Sequence, residues 1–573
     1  MLSREEVKRD LERLRDIVIQ HKADGNPMAI HREVIHGIEL DVFSNIPQTL
    51  PDIYRLALEI ADRDFLVYLD ERYTFGETHR LAERLARIMV DRYGINKGDR
   101  VAICSRNNPE WCLTYLAATM IGAIIVPMNS WWTGAEMEYG LEDSGARLLF
   151  ADQERINRIQ PYLQPLNLQV VAIKPEQELP FPEFHQLLND SSSDHTDLNQ
   201  HQVAADDDAS IMYTSGSTGH PKGVLSTHRN ITNALYTWLF VKEVNEILRP
   251  ELAEENAKYE PALLCNVPLF HVTGSHAQFL NCFVTQRKFV MMYKWDPEVA
   301  LDLIEKERIS VFHGVPTMTW ELMESPNFDN TDLSSLRNVQ SGGAARPPEH
   351  LALMLQKFPE QAIPGLGYGL TETNAIGGII SGKFYEANPQ STGRPTPPVT
   401  SVKVVDSEGH TLEAGEVGEI CIKGPTVMRG YWNKPDDTKA VIKDGWFHSG
   451  DIGMLDDLGF IVIMDRAKDI VIRGGENIGC AEVEYAIVEH PSISEVSVYG
   501  IPDNRLGEIL CATVMLKPGE VLSRDELKGF LSKKLARFKI PEHIFFQHEQ
   551  LPRIASGKIA KKQLREEAIA LLS

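Results

Sequence analysis

Apolar and polar positions along this chain switch repeatedly between a helical and an extended period. Val7, Leu11, Leu14 and Val18 recur at helical spacing behind Ser3 and Glu6, which stand at capping-box separation, so a surface helix opens the chain. The same signature returns at 74–92, where Thr74 and Glu77 cap a stripe of Leu81, Leu85 and Ile88. Between the helical stretches lie short apolar runs that read as strands: Arg100–Ser105, Ile124–Met128, Arg147–Asp152, Val170–Lys174, Lys288–Tyr293 and Ile309–Val315. Strands alternating with helices predict an α/β fold with largely parallel sheets.

The texture changes twice. Between 400 and 430, short strands at Ser401–Val405 and Glu419–Lys423 are punctuated by glycines, which predicts a small β-barrel or antiparallel sheet. After about residue 468 the pattern becomes a compact α+β segment: a helix at 481–490, strands near 495–500 and 508–516, a helix at 524–536, a strand at 543–547 and a helix at 558–571. The expected organisation is therefore a large N-terminal domain, 1–467, of two α/β subdomains plus a small β-barrel, followed by a smaller α+β domain, 468–573. Residues 190–208, rich in Ser, Asp and Gln, read as an exposed connector.

Charge removes some functions from consideration. The chain of 573 residues carries a net charge of −23, which argues against binding nucleic acid through its backbone. An anionic ligand would have to rely on local Lys, Arg, backbone N–H groups or a metal ion. Seven cysteines, an odd number with no C-x-x-C pair, fit free buried thiols of a reducing compartment. The N-terminus has no apolar leader, and the longest apolar run, Leu113–Met128, is too short to span a membrane and contains Pro127, so the expected location is the cytoplasm.

The chemistry concentrates in small, polar, glycine-rich stretches. Residues 213–224 place three glycines, four side-chain hydroxyls outside Tyr213 and Lys222 directly after an apolar run, as a phosphate cradle requires, though the spacing is not that of a Walker A loop. Phe270-His271 follows Pro268-Leu269 at the expected end of an apolar strand. Ser341–Ala345 is a small-residue loop that admits a flat ring, and Tyr368–Thr373 joins an aromatic, hydroxyls and Glu372, a carboxylate suited to Mg²⁺. Ser449-Gly450-Asp451 offers a carboxylate after a turn, Asp465–Asp469 is a charge cluster at the domain boundary, and Gly557-Lys558 puts a lysine on a loop. Taken singly, His271 reads as a core histidine, Glu372 as a helix-start carboxylate, and 465–469 and Lys558 as solvated charges.

Together, and in this order, these stretches resemble the motifs of the adenylate-forming superfamily: acyl-CoA synthetases, peptide-synthetase adenylation domains and firefly-type luciferases. The resemblance runs from about residue 50 to the end. It implies activation of a carboxylic acid by ATP with release of pyrophosphate, then transfer of the acyl group to a thiol. It implies that Thr214, Ser215, Gly216, Ser217, Thr218, Gly219 and Lys222 hold the β/γ-phosphates, that Thr371 meets the α-phosphate and that Glu372 binds Mg²⁺. Tyr368 and Gly369 would face the adenine, with Gly343, Ala344 and Ala345 along its edge; Asp451 and Arg466 would hold the ribose. Lys558 would bridge the acid and the α-phosphate, and His271 would be a further catalytic residue. Lys468 matches the hinge about which the C-terminal domain turns to bring Gly474 and Gly475 to coenzyme A. Where many relatives have Tyr-Pro, this chain has Gly479-Cys480.

By the same resemblance the acid pocket is formed by Val272, Ser275, His313, Gly314, Ser341, Gly342, Gly367 and Thr373, of which His313 is unusual. These walls are small or weakly polar and include no Arg or Lys to pair a second carboxylate. That favours a monocarboxylic acid with an apolar tail, a medium- or long-chain fatty acid first and an aryl acid second. The leading expectation is an ATP-dependent acid–coenzyme A ligase acting on small molecules, without nucleic acid or a membrane span; a homodimer is compatible with the sequence. The alternatives are a ligase that loads the phosphopantetheine of a separate carrier protein and a luciferase-like oxygenase.

Overall fold

A computed structural model of the protein describes residues 3–23, 25–190, 195–214, 221–343, 346–466, 469–473, 476–503, 505–554 and 557–572. Among the described residues, two large sheets, two five-stranded ones and a two-stranded one organise it. The first large sheet has seven strands, five of which (Arg100–Cys104, Ile124–Pro127, Leu148–Asp152, Gln169–Ile173 and Asp208–Thr214) run parallel; the hairpin partner Lys222–Thr227 and then Gly430–Tyr431 close one edge. The second has nine strands, with Lys288–Met291, Ala262–Cys265, Val311–Gly314, Asn338–Gly342 and Ile363–Tyr368 as parallel neighbours at its centre. The alternation of strands and helices is thus realised as two α/β layers, as the sequence pattern implies.

The largest apolar core joins these two layers. It draws Ile103, Phe150 and Ile173 from the first sheet and Leu263, Cys265 and Phe289 from the second. Helix Pro109–Met120 lies within it, every residue buried, which explains why this segment has no polar face. The helix Phe75–Asp91 starts as its sequence predicts, with Thr74 and Glu77 exchanging capping bonds. Ser3 and Glu6 cap helix Arg4–His21 in the same way.

A five-stranded antiparallel sheet, built on Ser401–Val405, Gly418–Lys423 and Trp446–Leu455, realises the glycine-punctuated region. The last sheet, five strands between Val471 and Gln547, has its own apolar cores. Two C-terminal boundaries differ from expectation. The helix expected at 524–536 ends at Leu531, and the one expected at 558–571 starts at Lys561. Gly557, at φ +83, adopts the left-handed conformation that stops a helix from starting there, so Lys558 stays on a loop. Likewise, the apolar strand expected to carry His271 ends at Cys265; Pro268 has no N–H to continue a ladder, and His271 donates its N–H to the Pro268 carbonyl in a turn. All seven cysteines are buried free thiols, and among the described residues no helix is long and apolar enough to cross a membrane.

Candidate active site

The carboxyl ends of the central parallel strands of the nine-stranded sheet carry His313, Ser341–Gly343 and Gly367–Tyr368, where ligands gather in α/β folds. Around them two clusters of charge form before any ligand is considered. In the first, Lys222 stands opposite Thr214 across the hairpin, and Thr214 Oγ1 donates to the Lys222 carbonyl at 3.4 Å. Lys222 Nζ lies 3.1 Å from Asp437 Oδ2 and 5.2 Å from the centre of the Tyr431 ring. Pairing of the strand Gly430–Tyr431 with Val224 and Leu225 brings that tyrosine in, and its hydroxyl donates to Glu372 Oε1 at 2.9 Å. Glu372 Oε2 has no hydrogen bond among the described residues, and burial raises the carboxyl pKa above its usual range. Thr371 belongs to the same 3₁₀ turn.

The second cluster is Tyr368, Asp451 and Arg466. Asp451 and Arg466 are cross-strand partners, with Arg466 Nε 2.8 Å from Asp451 Oδ1, and the Tyr368 hydroxyl donates to Asp451 Oδ2 at 2.7 Å. Glu419, which the sequence motifs do not mark, fixes this turn from the neighbouring strand: its Oε1 accepts the Gly450 N–H at 3.0 Å and its Oε2 pairs with His448 Nδ1 at 2.7 Å.

Lys558 enters between these groups. A Cβ on Gly343, at φ +76, would lie 3.2 Å from Lys558 Cε, so this glycine supplies both a left-handed turn and room for the lysine. Burial, and then the charge of Arg466, lower the Lys558 pKa to about 8. Burial and the nearby Lys558 push His271 down to about 4, leaving it neutral. Beyond Gly343 a cavity of about 870 Å³ opens; Val272, His313, Ser341, Gly342, Gly367 and Gly369 are in its wall.

Residues 55–432 match the family described as AMP-binding enzyme, and 482–558 match its C-terminal domain. The chain belongs to the AMP-binding enzymes, in the acyl-CoA synthetase branch of the adenylate-forming superfamily. This family member is 34% identical over 548 residues to a long-chain-fatty-acid–CoA ligase of Bacillus subtilis, covering 89% of this chain and 93% of the relative. It is also 34% identical over 493 residues to a feruloyl-CoA synthase of an Amycolatopsis species, covering 86% and 93%. Among solved structures it resembles o-succinylbenzoate CoA synthetase of Bacillus subtilis in complex with an acyl-adenylate, at a TM-score of 0.74 and 28% identity over 90% of this chain and 97% of that one.

Within this AMP-binding enzyme, three expected pocket residues stand outside the cavity wall. The Ser275 hydroxyl donates to the His271 carbonyl at 3.0 Å, Thr373 closes its own turn on Leu370, and Gly314 packs under Asn266 and Met318. The reading that no Arg or Lys lines the pocket needs correction. Lys242, Arg249, Arg287, Arg337 and Lys383 are all in the wall. They come from helix His228–Leu248 and its end, from the residues before two strands, and from the short helix Gly382–Ala387, none of which bears a motif; only their position after folding makes them pocket residues. Ser215, Gly216, Ser217, Thr218, Gly219, Ala344, Ala345, Lys468, Gly474 and Gly475 lie outside the described residues.

Proposed function

We propose that the protein is an ATP-dependent acid–coenzyme A ligase that forms an acyl-adenylate and then the thioester. The observation that carries this reading is Lys558, held on its loop against Gly343, between the Tyr368–Asp451–Arg466 cluster and the mouth of the cavity. An acid seated in that cavity presents its carboxylate to Lys558. The carboxylate oxygen attacks the α-phosphorus of ATP, the bond to the β-phosphate oxygen breaks, and pyrophosphate leaves. Two anions must meet, so neutralising charge governs the step. Lys558 does this at the reacting atoms; Thr371 meets the α-phosphate, Lys222 and the Thr214–Gly219 loop take the terminal phosphates, and Asp451 with Arg466 hold the ribose. Tyr368 and Gly369 face the adenine, with Gly343 to Ala345 beside it.

Glu372 fits a divalent cation, since the Tyr431 hydroxyl holds one carboxylate oxygen and the other has no hydrogen bond among the described residues. Mg²⁺ bound there would offset charge on the phosphates. The boundary we assign, 1–467 against 468–573, makes Lys468 the hinge. Turning about it withdraws Lys558 and brings Gly474 and Gly475 to the thiol of coenzyme A, whose sulfur then displaces AMP from the acyl carbon. The Thr371, Glu372 and His271 side chains remain with the larger domain. The cavity has room for the body of a medium- or long-chain fatty acid or an aryl acid.

Pyrophosphate release over a panel of acids, with and without coenzyme A, tests this reading. Acid-dependent release that requires coenzyme A for turnover is expected. Release indifferent to coenzyme A, restored by a holo-carrier protein, would give the acyl group a different acceptor.

A further inference from the structure

The far wall of the cavity holds a charge with no partner. Arg287 follows the short helix Asn281–Thr285, after Gln286 has turned the chain through the left-handed region at φ 53, and leads into strand Lys288–Met291. Its side chain lines the cavity, yet among the described residues its guanidinium makes no hydrogen bond and no ion pair. The acid that most affects it, Glu246, is already engaged by Lys242 at 3.1 Å and by Asn256 Nδ2 at 2.9 Å. The arginine is half-buried in the cavity wall, and that burial lowers its pKa. Arg287 is near enough to His313 that it helps burial push that imidazole down to about 4. His313 in turn borders Gly342, where an added Cβ would meet its Nε2 at 3.6 Å. Lys558 stands by Gly343 and His313 by Gly342 at the carboxyl ends of the strands, while Arg287 lines the same cavity from their amino ends.

We propose that Arg287 is a specificity residue that binds a second, distal carboxylate of the acid, so that the preferred substrate is a dicarboxylic acid activated at one end only. A half-buried guanidinium in the cavity wall, with no hydrogen bond or ion pair among the described residues, has its fork open to a ligand, and a carboxylate offers it two parallel hydrogen bonds in the geometry it prefers. A methyl terminus at the same place leaves the guanidinium unsatisfied. Five basic and four acidic residues line this wall, in a chain whose net charge is −23, so the cavity is locally suited to an anion that the protein as a whole repels. The distal carboxylate keeps its bonds throughout; only the carboxylate at Lys558 reacts.

The proposal rests on the acid–coenzyme A ligase reading for its chemistry, and its test does not depend on turnover. Calorimetric binding is measured for adipate through dodecanedioate against hexanoate through dodecanoate, with wild-type protein, Arg287→Leu and Arg287→Lys. Wild type should bind the diacid of the fitting length ~10- to 100-fold more tightly than the matching monoacid. Arg287→Leu should abolish that preference, and Arg287→Lys, which keeps the charge but not the fork, should fall between. Thermal melting checks that both variants are folded, and the lysine variant alone suffices if the leucine variant is not. A wild type that binds the monoacids as well as or better than the diacids overturns the proposal, as does a diacid preference that survives loss of the guanidinium. Selective binding without pyrophosphate release would count against the ligase reading and leave the assignment of Arg287 intact.

Discussion

The proposed nucleotide side of the cleft and Arg287 in the proposed acid cavity treat charge in different ways. On the nucleotide side, charges are paired among themselves: Asp451 with Arg466, Glu372 with the Tyr431 hydroxyl, Lys222 with Asp437. In the cavity, Arg287 stands among other charged side chains and pairs with none of the described ones. Groups that meet a constant ligand can be positioned by one another in advance, because every turnover presents the same phosphates and ribose. A group that selects a variable ligand is better left unsatisfied, because only the right partner then relieves the cost of burying it. Lys558 belongs to neither arrangement. It is a half-buried cation like Arg287, but a C-terminal loop delivers it, and its pKa, lowered to about 8, lies within reach of ordinary pH.

The comparison breaks most visibly at that lysine. Lys558→Ala should slow adenylate formation ~100- to 1000-fold, the loss typical of removing one group that stabilises developing charge. Thioester formation from supplied acyl-adenylate should survive, because Lys558 has no role in it. Acid selectivity should also survive, because selection is assigned to Arg287. Pyrophosphate release and thioester formation, assayed separately, decide the matter; equal loss in both half-reactions would remove Lys558 from its role.

A smaller effect separates the two cations by titration. The Lys558 pKa is depressed, so its charged form is present below about pH 8 and is lost as pH rises above that value. The rate of adenylate formation should therefore fall about tenfold for each pH unit above the transition. Arg287 keeps its charge across this range, so the diacid-to-monoacid ratio should stay level while the rate falls. A ratio that declines together with the rate would mean that both effects have one origin.

The sequence is a good guide wherever local chemistry dictates local structure. Ser3 with Glu6 and Thr74 with Glu77 cap their helices as their spacing implies, and the alternating pattern yields two α/β layers. Tyr368, Asp451 and Arg466 lie in short motifs, and the structure brings them within hydrogen-bonding distance. What escapes the sequence depends on tertiary placement. Arg287 reads as one polar residue in Gln286-Arg287-Lys288 at a strand edge, and only the cavity it shares with the long helix His228–Leu248 makes it a wall residue. Glu419 is an ordinary strand residue until antiparallel register sets it beside the turn at Gly450. Ser275 and Thr373 show the same dependence on folding: their hydroxyls bond to their own backbone turns, which the sequence does not reveal.

The smallest expected effect tests whether pairing on the nucleotide side has a cost. Lys222 Nζ sits 3.1 Å from Asp437 Oδ2, and that carboxylate is about half exposed. Phosphate oxygens that reach Lys222 must compete with it. A partly exposed ion pair is worth only ~0.2 to 1 kcal/mol, because solvent screens it and long side chains lose freedom in forming it. Asp437→Asn should therefore lower the KM for ATP about two- to fivefold while leaving kcat and the acid preference where they are. If the KM for ATP rises instead, Asp437 is not a competitor but the group that aims Lys222 at the phosphates, and the nucleotide side gains from its internal pairing. Raising the salt concentration separates the two cases further: screening should shrink the difference between wild type and Asp437→Asn if competition is the cause, whereas an aiming role depends on geometry and should persist.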